Sequence, residues 1–168
     1  MGVFILVVLM NILSFIYLFF IAVFVVAVLY LIMSYTFQSI SIMCMSKKMG
    51  YKNTFTACIP FYNKYLLGKM AGNKIMGGIS GILSFIAICL GTRFFINKEL
   101  EIALFIILII SLIITFILDA IIAHKIFDSR TNKYGDILTV FNILSLGLLR
   151  PIFLFIIRNK KEQSSIKQ

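Results

Sequence analysis

Long apolar runs alternate with short polar connections along this chain of 168 residues. The apolar runs lie near 11–33, 75–96 and 102–122, and each reaches the roughly 20 residues that a helix needs to cross a bilayer core of about 30 Å. The first run carries no charge before Lys47, and it is longer than one crossing requires. Its more polar end, 34–46, is therefore expected to continue as a helical extension. The pattern predicts three transmembrane helices.

Residues 137–157 form a fourth apolar segment, which Gly147 and Arg150-Pro151 interrupt. The pieces on either side are each too short to cross a bilayer. A full crossing requires a kinked helix with a paired Arg150, because unpaired charge at the midplane is costly. The alternative is a re-entrant segment, which leaves the membrane on the side from which it entered. Four crossings are the preferred interpretation, since the orientation bias is strongest around the first helices.

The connection 47–74 holds six lysines and no acid, and no Asp or Glu precedes Glu99. Because positive charge favours cytoplasmic loops, the connection is predicted to be cytoplasmic and the N-terminus external, in a multi-pass protein of the cytoplasmic membrane. The turns 97–101 and 123–136 are then external and internal. A fourth crossing would leave the basic C-terminal tail outside, whereas a re-entrant segment removes that conflict.

Gly50 and Ile59-Pro60 predict that the connection is folded, because proline ends a helix. Its aromatic and basic side chains alternate, which is typical of a segment at the level of the lipid headgroups. Interfacial anchoring is the simpler interpretation, and a specific lipid or partner site is the alternative. The candidate binding residues are Lys47, Lys48, Lys52, Tyr62, Lys64, Tyr65 and Lys69.

Hydrophobic residues make up 61% of the chain, which indicates an integral membrane protein and not a soluble one. The expected fold is an all-α, polytopic helical bundle formed by one domain, 1–168. The net charge of +10 lies at the ends of apolar runs and not along a soluble face. It therefore indicates anionic lipids as partners and argues against nucleic acid.

Two small residues four apart, Gly77 and Gly81, open the second span. Such spacing allows another helix to approach closely. Packing within the same molecule is favoured over a dimer interface.

The chemistry of a reaction centre is not visible in the sequence. His124 is the single histidine, whereas a metal site normally needs three or four converging ligands. No phosphate-binding glycine loop, serine nucleophile motif or pair of intramembrane carboxylates is present. The sequence therefore predicts no catalytic residue, no cofactor and no metal, and a protein that is not an enzyme.

Two ionisable residues, Asp119 and Arg150, lie within apolar segments and are the best functional candidates. Such residues usually pair inside the protein or line a water-filled cavity. A straight fourth helix would hold the two apart, but a segment that bends at Gly147 would bring Arg150 back to Asp119. The ion pair and the re-entrant geometry are thus one prediction. A salt bridge is favoured over a role in translocation.

The connection resembles a pattern in a family of small, functionally uncharacterised bacterial multispanning proteins. The matching positions are Lys48 and Gly50, Ile59-Pro60, Tyr62-Asn63, Leu66-Leu67 and Ala71-Gly72. A weaker similarity covers His124–Phe127 and Pro151-Ile152-Phe153, although Asp128 stands where glycine is common and Arg150 precedes the final proline. The resemblance implies a helical membrane fold without catalytic residues.

The leading functional hypothesis is a non-enzymatic accessory or immunity-type membrane protein. It would act by binding lipid or another membrane protein. The alternative is a small oligomeric transporter or channel in which Asp119 and Arg150 line the path. The expected partners are anionic lipids together with a membrane-protein partner or further copies of the chain.

Overall fold

The computed structural model describes residues 2–97, 102–131 and 134–160, and these residues form helices and turns. Most of the predicted turn 97–101 and the tail 161–168 lie outside the described residues. The chain divides into two compact units, Met1–Thr36 and Phe37–Gln168, where the sequence predicts one domain. Three of the helices are long and apolar enough to cross a membrane. The protein is therefore an all-α polytopic membrane protein.

The first unit is the N-terminal part of helix α1, Gly2–Lys48. Neither glycine nor proline interrupts α1 after Gly2, so its 47 residues form one helix about 70 Å long. The apolar side chains of this unit are almost all exposed. Since a bilayer offers no water to the backbone, a continuous helix that satisfies its own hydrogen bonds is the stable form there.

The second unit begins with the last turns of α1, where Ile42 and Met45 are fully buried. Helix α1 ends at Lys48, and Gly50 adopts φ +77° in the turn that follows. A short 3₁₀ helix, Thr54–Cys58, comes next. The predicted extension of α1 and its end near Gly50 are thus present.

Helix α2, Tyr62–Met70, starts directly after Ile59-Pro60 and packs antiparallel to the beginning of helix α3, Lys74–Asn97. Gly72 makes the turn between them with φ +79°, a conformation that glycine adopts without strain. The pair is a helical hairpin. Its open end, at Phe61, lies beside Gly81 of α3.

Helix α4, Ile102–Thr131, runs back along α3 and continues to Thr131, well past the predicted end of the third span. The predicted turn 123–136 is therefore mostly helix. Its last turns stay helical because they pack into a core, with Ile126 and Phe127 buried. Lys48 at the end of α1, Lys74 at the start of α3 and Arg130 at the end of α4 mark what we call the basic end of this unit.

The fourth segment consists of helix α5, Gly135–Leu144, and helix α6, Arg150–Ile157, joined by a turn in which Leu146 and Gly147 adopt positive φ. With 10 and 8 residues, each helix is too short to cross a bilayer. Helix α5 starts against the α4 backbone at Asp128. The segment then returns, because Arg130 of α4 donates a hydrogen bond to the Lys160 carbonyl at 2.8 Å.

Both ends of the fourth segment therefore lie at the basic end. The fourth segment thus has the shape of the re-entrant alternative and not that of a kinked crossing, and the side of the membrane on which it ends stays a prediction. The physical reason is the break at Gly147, which leaves neither piece long enough to span and lets α6 fold back against α4.

The core of the second unit lies at the basic end. Fully buried side chains from α1, α4 and α6 meet there, among them Met45, Phe127 and Leu154. The ring of Phe127 packs edge-on against that of Phe153, with centroids 6.0 Å apart. Lys48 Nζ donates hydrogen bonds to the Arg158 carbonyl and the Asn159 side chain. This core holds α6 in place, and so positions Arg150 at its first residue.

Candidate functional site

A charged cluster forms around Asp119, inside the second unit. Lys64 Nζ lies 2.9 Å from Asp119 Oδ2, and Arg150 Nη1 lies 2.8 Å from the same oxygen. The Ser80 hydroxyl donates to Asp119 Oδ1, and Lys64 also donates to the Ser84 hydroxyl at 2.6 Å. We call these five residues the Asp119 cluster. The ion pair expected between Asp119 and Arg150 is present in it, together with a second cation.

Four helices supply the Asp119 cluster. Ser80 and Ser84 stand one turn apart on α3, so both face α2 and α4. Lys64 reaches them because α2 packs on the face of α3 that carries Gly77 and Gly81, which we call its glycine face. Arg150 reaches Asp119 because the fourth segment turns back just before it. Each contact thus depends on a bend or a close helix approach elsewhere in the chain.

Three members of the cluster, Ser80, Ser84 and Asp119, lie on two of the candidate membrane spans, and Lys64 and Arg150 reach them from shorter helices. Ser80 comes six residues after Lys74, so it lies about 9 Å along α3 from the basic end. At that depth a charge needs a partner inside the protein. The side chains of Lys64, Asp119 and Arg150 are indeed largely buried, at 17%, 16% and 13% exposure.

The charges of the cluster do not balance. Two cations, Lys64 and Arg150, share one carboxylate, which leaves one excess positive charge. An ammonium has three N–H donors, and the described contacts of Lys64 use two of them. The cluster can therefore accept one more anion at Lys64.

A groove between α3 and α4 ends at Lys64 and Ser84. Its volume is about 460 Å³. Its remaining walls are almost entirely apolar, formed by Ala87, Ile88, Gly91, Phe94, Leu108 and Leu112. Thr115 also lines the groove, and its buried hydroxyl has no hydrogen-bond partner among the described residues. The groove thus joins a long apolar wall to one polar, cationic end.

The structure corrects the position expected for Lys64. The sequence predicts that this lysine lies with the others at the level of the headgroups. It is instead buried against α3 and α4, because α2 is one arm of a hairpin and not a segment lying flat on the surface. Lys47, Lys48, Lys52 and Lys69 are exposed, as an interfacial position requires.

The aromatic candidates of the connection pack against each other. The rings of Tyr62 and Tyr65 pack with centroids 5.3 Å apart. Lys69 Nζ lies 4.2 Å from the centre of the Tyr51 ring, which is a cation–π contact. The structure brings only Lys64 from this group to the charges of the spans.

The glycine pair on α3 is a site of close helix approach. A methyl group added at Gly77 would lie 2.6 Å from the Lys64 carbonyl oxygen, and one added at Gly81 would lie 3.0 Å from the Phe61 carbonyl oxygen. Gly68 of α2 faces Gly77 directly. The packing is within the same molecule, as the sequence predicts.

Sequence reasoning did not assign Ser80, Ser84 or Thr115 to the site. A serine in an apolar span is usually a small packing residue, although its hydroxyl is also a ligand for a buried charge. Ser80 and Ser84 occupy the positions three residues after Gly77 and Gly81, hence the same side of α3. That spacing is the signal by which they could have been found.

The only histidine has a local structural environment. His124 Nδ1 lies 3.0 Å from the Thr139 hydroxyl and 3.8 Å from Asp136, so it connects α4 to α5. Among the described residues no group of three or more His, Cys, Asp or Glu side chains is placed to hold a metal ion.

Comparison with known proteins gives no relative from which a function could be transferred. No family model matches the chain, no curated protein matches it, and no solved structure matches it. The function is therefore argued from the geometry alone.

Proposed function

We propose that this protein is a non-enzymatic accessory protein of the membrane, which acts by binding a lipid or another membrane protein. The groove that ends at Lys64 is the single observation on which the proposal rests. A pocket with apolar walls and a few convergent polar groups is the usual form of a binding site. The partner class follows from the apolar length of the groove and from the excess cation at its end.

The Asp119 cluster supports a binding role over a role in catalysis or conduction. Asp119 accepts bonds from two cations and a hydroxyl, so it is held by partners from three other helices. A carboxylate that must take up or pass on ions would be held less completely. In the proposed function the cluster fixes the position of Lys64, and Lys64 provides the polar end of the groove.

Orientation belongs to the same proposal. The described basic residues at the ends of α1, α3 and α4 lie at one end of the second unit, and the fourth segment returns to that end. With the positive end in the cytoplasm, the N-terminus would be external and the end of α6 internal. The groove would then open from the cytoplasmic half of the bilayer towards its centre.

Purification in a mild detergent tests the proposed function. The affinity-tagged full chain is isolated from membranes, and co-purified lipids and proteins are quantified by mass spectrometry. We expect one lipid species or one larger membrane protein in fixed ratio to the chain. Gly91→Leu, which fills the groove, should lower that ratio, while Thr92→Leu on the neighbouring exposed position should not. Recovery of homo-oligomers alone would contradict the proposal.

Transport remains the second candidate, and one observation favours it. The chain is non-helical at Ile59–Phe61, beside Gly81 of α3, and at 145–149, directly before Arg150 of the Asp119 cluster. Non-helical backbone at membrane depth is tolerated where it is covered by protein or lines a water-filled cavity. Reconstitution in liposomes tests this candidate. A flux of ions or solute across the liposome membrane that Asp119→Asn abolishes would support transport.

A further inference from the structure

The cationic end of the groove makes the chemistry of the ligand specific. We propose that the groove between α3 and α4 binds the anion of a long-chain carboxylic acid, with its carboxylate at Lys64 and its acyl chain along the apolar wall. This inference rests on the proposed binding function and names the class of ligand.

The first argument is charge. The Asp119 cluster has two cations and one anion, and this imbalance lies at a depth where unpaired charge is costly. A bound carboxylate would add the missing negative charge, so that two cations would face two anions. The unused N–H of Lys64 would donate to it. A neutral lipid would leave the imbalance in place.

The second argument is an unpartnered hydroxyl. Thr115 is only 9% exposed, lines the groove, and stands one helical turn before Asp119 on α4. Its Oγ1 has no partner among the described residues, although buried hydroxyls are nearly always hydrogen-bonded. A carboxylate near Lys64 would supply an acceptor at this end of the groove. Ser84, at the same end, is already bonded to Lys64 and to the Ser80 carbonyl.

The third argument is shape. From Ser84 to Phe94 the groove follows α3 for ten residues, about 15 Å, in the direction away from the basic end. That is the direction of an acyl chain whose head lies nearer the basic end. Helix α2 packs backbone to backbone on α3 at Gly77 and thereby closes the other side of Lys64. A glycerophospholipid needs space there for its glycerol and headgroup, whereas a carboxylate ends at the lysine.

Equilibrium binding of tritiated oleate tests the proposal. The full chain is reconstituted in phosphatidylcholine nanodiscs, and the binding to empty nanodiscs is subtracted. We expect saturable binding of one oleate per chain. Unlabelled oleate should compete, while oleyl alcohol, which has the same chain and no charge, should compete about tenfold less well, because its oxygen can accept a hydrogen bond from Lys64 but brings no negative charge to the excess cation.

Two variants probe the two ends of the ligand. Lys64→Met should lower the affinity for oleate by about tenfold or more, and it leaves the neutral Asp119–Arg150 pair intact. Gly91→Leu should block the chain, since a side chain at Gly91 enters open space and displaces no backbone. The matched controls are Lys69→Met, an exposed lysine on the same helix as Lys64, and Thr92→Leu. Both controls should bind oleate as the natural sequence does.

Three results would overturn the inference. Oleyl alcohol competing as well as oleate would show that no anion is recognised. Lys64→Met and Gly91→Leu binding oleate with unchanged affinity would place the ligand elsewhere. Phosphatidylglycerol displacing oleate at equal concentration would identify a phospholipid as the occupant. The last result leaves the proposed binding function standing, because that function fails only when neither lipid nor protein co-purifies with the chain.

Discussion

The Asp119 cluster predicts an unusual order of stabilities among its variants. Asp119 attracts two cations, at 2.9 and 2.8 Å. At an effective dielectric constant of about 20, each such pair contributes about 6 kcal/mol before desolvation is counted. Removing one partner of a buried pair costs about 3–5 kcal/mol in measured cases. Asp119→Asn leaves two cations without a counter-charge, so its cost should lie at the upper end of that range.

Lys64→Met should cost much less. It removes one hydrogen bond to a charged group, about 1.5–3 kcal/mol, but it also removes the excess charge and the desolvation of Lys64. The remaining pair of Asp119 and Arg150 is neutral. In the background of Asp119→Asn the sign should reverse, because Lys64→Met then removes one of two uncompensated cations. The same substitution would thus destabilise the natural sequence and stabilise the variant.

Unfolding by sodium dodecyl sulfate in mixed micelles, followed by circular dichroism, measures these differences. Asp128→Asn is the matched control, since it makes the same change on an exposed position of the same helix and should alter stability by no more than about 0.5 kcal/mol. The reasoning is refuted if Asp119→Asn is as stable as Asp128→Asn. It is equally refuted if Lys64→Met costs more than Asp119→Asn or destabilises both backgrounds alike.

Three further predictions concern packing and topology. Gly77→Ala should lower stability by about 1–3 kcal/mol in the same unfolding assay, while Gly78→Ala, whose added methyl meets only Tyr65 at 3.9 Å, should not. Equal effects would mean that α2 moves aside freely. A cysteine replacing Lys160 should be labelled by an impermeant thiol reagent from the same side as one replacing Lys52, since the fourth segment returns to the basic end. Labelling from opposite sides would restore a full crossing. Replacing Lys47, Lys48 and Lys52, three exposed lysines at and just after the end of α1, by glutamine should yield a mixed membrane orientation in a reporter-fusion assay. A uniform orientation would show that another segment carries the orientation signal.

The sequence alone determines the three spans and the positions of the helix breaks at Gly50, Pro60 and Gly147. Apolar runs of sufficient length must be helical in a bilayer, because only a helix satisfies its backbone there. Gly50, Pro60 and Gly147 likewise mark the ends of helices, since each restricts or frees the backbone locally. Even the contact between Asp119 and Arg150 can be predicted from the sequence, because a bend at Gly147 is the one way to bring these two charged residues of apolar segments together.

The position of Lys64 was decided by the tertiary structure. In sequence it is one of six lysines in a basic connection, and nothing in its neighbours separates it from Lys69. The distinction arises because α2 packs on the glycine face of α3, which turns Lys64 inwards and leaves Lys69 exposed. Close approach of two helix backbones depends on both partners at once, and a pattern read along one helix does not contain it.

The end of α4 and the path of the fourth segment are also set by tertiary packing. Hydropathy ends the third span near Ile122, but α4 continues to Thr131 because Phe127 is buried in a core built from α1 and α6. That same core, with the hydrogen bond from Arg130 to Lys160, returns the end of the fourth segment to the basic end. The sequence by itself allowed a kinked crossing or a return, since both satisfy the local rules. The burial of α6 against α1 and α4 selects the return, because only that path covers the apolar face of a helix too short to span.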